Sequence, residues 1–258
     1  MTTDEQASTW AGEPLEDLAG LTGGRGEQRD GPVVPDAALD LVARADRRGR
    51  VPRDASGSPE AQALRAAGLL DDGRALTPFG HAVRDHWRAG VTFLEAHARG
   101  ERPGRLTAWP SSRSLLVAAS AGADESPVPA GHVRLGVVPT SRFVSYLAAW
   151  AGVRPAWSFD LGPWEVPRAD YEARLSPSAD APPEPPPGTG ERAARLWREP
   201  WTEIVTVTPQ SSLRFVVAGT AGALRVDVRD DLVALAVLPP RLLFLTLVTQ
   251  TGAAVQGR

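Results

Sequence analysis

The sequence predicts an α+β fold: two related halves, each a run of antiparallel strands followed by a helix, behind a leading helical segment. Three observations predict it. Short Val- and Leu-rich runs recur at the spacing of a meander, at 91–98, 104–109, 114–120 and 132–138, then at 203–208, 213–218, 223–228 and 232–238. No strand–helix–strand alternation interrupts either set, which argues against a doubly wound nucleotide-binding sheet. Finally, VRLGVVP at 133–139 returns as VALAVLP at 233–239, with Val, Leu, Val and Pro identical at an offset of 100 residues. Each copy ends in Pro and leads into a helix, through Arg142-Phe143 or Arg241-Leu242, and the matching order of elements points to an internal duplication.

The elements follow in order. Residues 1–35, rich in Gly, Asp, Glu and Pro, read as a mobile arm with a short helix around Pro14–Leu21. A single domain is expected over 36–250, with halves at 36–152 and 190–250 and a tail at 251–258. Asp36–Asp46 reads as an amphipathic helix with Asp36 as N-cap and Leu39, Val42 and Ala43 on one face. Ser58-Pro59 opens a second helix, cap then Pro at the first helical position, which stops at Gly68. Thr77-Pro78 opens a third by the same logic, running to about Ala89. The helix at 139–152 carries Phe143, Val144, Leu147 and Trp150 on one face. Between Asp160 and Leu175 the pattern is weaker, with a short helix over Arg168–Arg174. The Pro-rich tract at 176–190 reads as an extended loop between the halves, followed by a helix at Glu191–Arg198. The last helix, Arg241–Gln250, is apolar almost all round, so it must be covered on both sides by its own chain or by a partner.

Composition narrows the function classes. At 258 residues with 42% hydrophobic and 23% charged residues, the chain can bury a sizeable core. The net charge of −3 supplies no basic field for nucleic acid or acidic lipid. Without cysteine there is no disulfide, thiol nucleophile or Cys-based zinc site. The opening MTTDEQASTW lacks the basic and apolar regions of a signal peptide, and no run reaches the ~18 apolar residues of a spanning helix, so a cytoplasmic protein without membrane insertion is expected. All 28 basic residues are Arg, Lys and Asn are missing, and the only Ile is Ile204. That bias is the codon signature of a very GC-rich genome, as in actinomycetes, and is no sign of phosphate recognition.

The stretch ALRAAGLLDDGRALTPFGHAV, 63–83, has the helix–turn–helix phrasing of a winged-helix repressor. Between Pro59 and Ala89, however, Glu60, Asp71, Asp72 and Asp85 balance Arg65, Arg74, Arg84 and Arg88, whereas a DNA reader needs a basic face. DNA binding is kept as the alternative function, and no nucleic-acid partner is expected. The histidines are His81, His86, His97 and His132, and the helical pair, five residues apart, does not share a face for a metal. Asp160, Glu165, Asp170 and Glu172 gather near Trp164 and Tyr171, as paired acids do in glycosidases, but a loop of solvated acids explains them. GTAGAL at 219–224 lacks the Lys of a phosphate loop and reads as a glycine turn. The expectation is a non-enzymatic protein with no catalytic residues, cofactor or metal. The eight tryptophans fit ordinary core positions, with Trp and Arg also enriched at protein interfaces.

In organisation the chain resembles the EspG family of actinobacterial type VII (ESX) secretion. The resemblance rests on LRAAGLLDDGRALTP, on VRLGVVPTSRFVSYLAAW and on GALRVDVRDDLVALAVLPPRLLFLTLV, and spans roughly 36–250. The acidic arm and the Pro-rich loop depart from it. It implies a cytoplasmic chaperone that shields the apolar helical tip of a secreted PE–PPE-like or other helical-hairpin protein with a concave sheet face and the late helices, and directs it to export. The family offers no contact motif to carry over residue by residue. The candidates inferred from this sequence are Leu243, Phe244 and Leu247 on the last helix, with Phe143 and Tyr146 on its counterpart. Whether the chain is a monomer or a homodimer is left open.

Overall fold

The computed structural model describes residues 31–89, 92–110, 114–120, 128–154, 161–162, 164–176 and 183–256. Its centre is one ten-stranded sheet in which every neighbouring pair is antiparallel. The first strands are β1 (Val33–Pro35), β2 (Leu94–Gly100), β3 (Gly104–Pro110), β4 (Ser114–Ala119) and β5 (His132–Pro139). The others are β6 (Trp164–Pro167), β7 (Trp201–Val207), β8 (Ser212–Ala218), β9 (Gly222–Arg229) and β10 (Leu232–Val237). Across the sheet the order is β1-β5-β4-β3-β2-β7-β8-β9-β10-β6. The fold is therefore α+β, with two four-strand meanders abutting at β2 and β7.

The helices are α1 (Asp36–Ala43), α2 (Pro59–Ala66), α3 (Pro78–Ala89), α4 (Phe143–Trp150), α5 (Arg168–Leu175), α6 (Glu191–Arg198) and α7 (Pro240–Gln256). A 3₁₀ turn, Thr140–Arg142, leads into α4. The expected caps hold at α2, where the Ala61 N–H donates to Ser58 Oγ at 3.3 Å, and at α3, where the Gly80 N–H donates to Thr77 Oγ1 at 3.2 Å. Gly80 also lets α3 lie against the preceding loop, since a Cβ there would stand 2.1 Å from the Leu69 carbonyl oxygen.

Because side chains alternate along a strand, one sequence supplies cores on both sheet faces. Along β4, Leu115, Val117 and Ala119 join the core under α4 and α7, while Leu116 and Ala118 join the core under α1–α3. Along β8, Phe215 and Val217 point to the α4–α7 side, and Val216 and Ala218 to the core under α5 and α6. One face is thus covered by α4 and α7, and the other by two separate helical groups.

Several expectations change. Val33–Pro35, placed in the mobile arm, form an edge strand on β5, with Val34 fully buried opposite Val133. Asp36 is the first residue of α1, and Pro35 holds the cap position, so the side chain gives no capping bond. Residues 164–167, read as indistinct, form the opposite edge strand on β10. The tail at 251–258 is helix as far as Gln256. Part of the Pro-rich tract is docked, the Trp197 indole N–H donating to the Pro183 carbonyl at 2.8 Å. The helix around Pro14–Leu21, and Asp160, lie outside the described residues.

Candidate partner surface

The structure brings the five candidate contact residues together, but inside the protein. Phe143, Leu243 and Leu247 are buried in the core between the sheet, α4 and α7; Tyr146 and Phe244 are half-buried against it. Phe143 packs edge-on against Phe93, with ring centroids 5.8 Å apart. Burial removes Phe143, Leu243 and Leu247 as contact residues. The cause is helical phase: 243 and 247, four apart, share the face that meets the sheet.

The opposite face of α7 carries the exposure. Leu242, Leu245 and Val248 are 52%, 48% and 41% exposed. One polar side chain, Gln250, fixes the helix's rotation against the sheet. Gln250 lies buried over the β7–β8 hairpin, accepting from Thr206 Oγ1 at 2.8 Å and donating to the Thr206 and Ser211 carbonyls. On the outer side, the Thr246 and Thr249 hydroxyls donate to the Leu242 and Leu245 carbonyls at 2.8 and 3.0 Å. Their hydroxyls are thereby occupied within the helix. No charged residue follows Arg241 through Gln256. The result is a solvent-facing helix surface without charge.

A second feature lies on the other sheet face, where β2, β7 and β8 run between the two helical groups. Glu95, His97 and Val207 are exposed there, Glu95 and His97 being 3.7 Å apart. The stretch ends at an ion cluster around Glu203, which is 2% exposed. Tyr171 Oη donates to Glu203 Oε1 at 2.5 Å, Arg99 Nε donates to Oε2, and Arg214 Nη1 lies 3.7 Å from Oε1. Arg99 also reaches Glu172, with Nη1–Oε2 at 2.6 Å and Nη2–Oε1 at 3.2 Å. Burial, then the Glu203 charge, pushes the Tyr171 hydroxyl's pKa far up. The Arg99 hydrogen bond holds the Glu172 carboxyl below the usual carboxylate range, and Glu203 and Glu172 raise Arg99. The cluster ties α5 to β2, β7 and β8. Sequence reasoning missed it, although Glu203 stands out as the one acid in the strand WTEIVTV.

The helix–turn–helix is built as expected, and its arginines are engaged by backbone carbonyls of the same region. Arg84 Nη1 donates to the Asp46 carbonyl, Arg88 to those of Ala43 and Ala45, Arg65 to those of Ser56 and Asp71, and Arg74 to that of Val51. Of the described tryptophans, Trp109, Trp150, Trp164, Trp197 and Trp201 are buried, and Trp87 packs on Trp109 at 4.9 Å. Glu165 faces Arg229 at 3.7 Å, and Glu172 is engaged by Arg99. Among the described residues no group of three His, Cys, Asp or Glu side chains is placed to hold a metal, and no helix is long and apolar enough to cross a membrane.

No family model matches the chain, and no curated protein matches it in sequence.

Proposed function

We propose that this protein is a non-enzymatic, cytoplasmic chaperone of the EspG kind, which binds the apolar helical tip of a secreted helical-hairpin protein and directs it to a type VII export machine. The observation that carries the reading is the outer face of α7: Leu242, Leu245 and Val248 exposed along one helix, flanked by threonines whose hydroxyls are bonded inward. A charge-free helical stripe of this kind suits a helix-on-helix contact with an apolar tip. Most of the sheet face beneath α4 and α7 is occupied by the chain's own core, which favours the outside of α7 over a sheet cradle. The carbonyl bonds of Arg65, Arg74, Arg84 and Arg88, together with the equal number of acids around them, support this reading over the DNA-binding alternative.

The finer fold belongs to the same proposal: a single domain of two halves related by a pseudo-twofold axis between β2 and β7. Two repeats support it. Val133 and Val233 head equivalent fourth strands, opposite Val34 in β1 and Val166 in β6 respectively. The edge strands themselves share Val-Pro-x-Ala, at 34–37 and 166–169, each leading into a helix.

The test is a pull-down of tagged protein from its native host, with mass spectrometry and a salt series. Stoichiometric recovery of a secreted helical-hairpin protein supports the reading. Recovery of DNA released by salt, with no such protein, overturns it.

A further inference from the structure

Two polar side chains without partners face one cavity, of about 270 Å³, on the sheet face that carries α4 and α7. The first is Thr202. Antiparallel register sets it beside Val217 of β8, and its side chain points the same way as those of Ala98, Ile204 and Val217, which form the cavity's apolar floor. Thr202 is only 9% exposed, yet its hydroxyl makes no hydrogen bond with any described residue. The oxygen is not sealed in the core but opens on the cavity. Further along the same strand, by contrast, buried Thr206 donates to Gln250 Oε1 at 2.8 Å. A buried hydroxyl without a partner is costly, so it marks a place where a ligand atom gains by completing the bond.

The second is Glu199. Its Oε2 sits over Gly219, 2.5 Å from where a Cβ would stand, so the carboxylate holds its place because residue 219 has no side chain. Gly219 also has φ +51°. No hydrogen bond or ion pair from another described residue reaches that carboxylate; Arg174 meets the Glu199 backbone carbonyl instead. Burial pushes the Glu199 pKa up, and the nearby Arg174 charge offsets this only in part. Arg102 and Arg154 also line the cavity, but both already have partners and neither is assigned a ligand contact. Glu199 stands over Gly219 and Thr202 beside Val217, two residues back along β8. The two groups are therefore about 7 Å apart along the strand and one strand across.

We propose that this cavity binds a small vicinal amino alcohol with a compact apolar body. Its ammonium pairs with Glu199, its hydroxyl meets Thr202, and its hydrocarbon lies on Ala98, Ile204 and Val217. Nitrogen and oxygen on adjacent carbons are about 3 Å apart, and a hydrogen bond of about 2.8 Å at each end lets them bridge the span that the register sets. The ammonium only donates, which suits a carboxylate, and the hydroxyl can donate or accept, which suits a threonine. A volume just below the ~300–1,000 Å³ of drug-sized sites fits a molecule of this size. The outer face of α7 uses none of these residues, so failure of this site leaves the chaperone reading standing, and the reverse.

Isothermal titration with three probes of related shape tests the assignment: leucinol, isoamylamine without the hydroxyl, and isohexanol without the ammonium. Leucinol is expected to bind, and each half-ligand about tenfold or more weakly. Thr202→Val keeps the shape and removes the hydroxyl; it should lower leucinol to the affinity of isoamylamine and leave isoamylamine unchanged. Glu199→Gln should weaken both amines about tenfold or more and leave isohexanol unchanged. Without ligand, the thermal midpoint of either variant should equal or exceed that of the wild type, since no internal partner is lost. The proposal is overturned if leucinol does not bind, if isohexanol binds as tightly as leucinol, if Thr202→Val leaves the preference for leucinol over isoamylamine intact, or if Glu199→Gln leaves leucinol affinity unchanged.

Discussion

Helices α4 and α7 hold the same place in the chain's order, each after a fourth meander strand and a proline, and they pack side by side on one sheet face. They spend their apolar residues differently. In α4, eight residues long, Phe143, Leu147, Ala148 and Trp150 are buried and no side chain is fully exposed. In α7, seventeen residues long, Leu243 and Leu247 are buried and a second apolar set, Leu242, Leu245 and Val248, faces solvent. One helix closes a core; the other closes a core and presents a surface. What separates them is length and the phase of the apolar positions against the sheet.

The comparison can be broken from either side. The largest effect is expected at the shared core: Leu147→Ala and Leu247→Ala should each destabilise by about 2–5 kcal/mol in urea unfolding, because both side chains are fully buried. Equal losses would show the inner faces to be equivalent, and a much smaller loss at Leu247 would detach α7 from the core.

Next comes the cluster beneath α5. Tyr171→Phe removes a hydrogen bond to buried Glu203 and should cost about 1.5–3 kcal/mol by the same measurement. Leu245→Asp, on the outer face, should change stability by no more than about 0.5 kcal/mol while abolishing partner capture.

A further small effect is one of pH. Arg99 holds the folded-state pKa of Glu172 below its unfolded value near 4.5. The stability it contributes is therefore present above that value and is lost as pH falls through the folded pKa. For a side chain 42% exposed this is under about 1 kcal/mol. Glu172→Gln should flatten that part of the acid-unfolding curve, and an unchanged curve would remove the assignment.

Local signals carried much of the fold in the sequence. Ser58-Pro59 and Thr77-Pro78 mark helix starts by capping chemistry, and alternating Val and Leu runs mark the eight meander strands to within a few residues. The edge strands were not legible. Three or four residues ending in proline are too few to show a period, and their pairing to β5 and β10 is long-range. The candidate surface was half legible. The composition of α7 announced a helix needing cover on two sides, but the choice of Leu243 and Leu247 over Leu242 and Leu245 depends on which side meets the sheet. Buried Gln250, which accepts from Thr206 on the sheet, settles the rotation, and its pairing spans 44 residues. The Glu203 cluster joins α5, β2, β7 and β8 and is likewise long-range.

The most direct test takes the helical-hairpin protein recovered from the host and titrates it calorimetrically into the wild-type chain and into Leu245→Asp, with thermal midpoints measured in parallel. The account predicts saturable binding to the wild type, loss of that binding in Leu245→Asp, and matching midpoints. Undiminished binding by Leu245→Asp, or a self-associated wild type that Leu245→Asp converts to monomer without affecting any client, would contradict it.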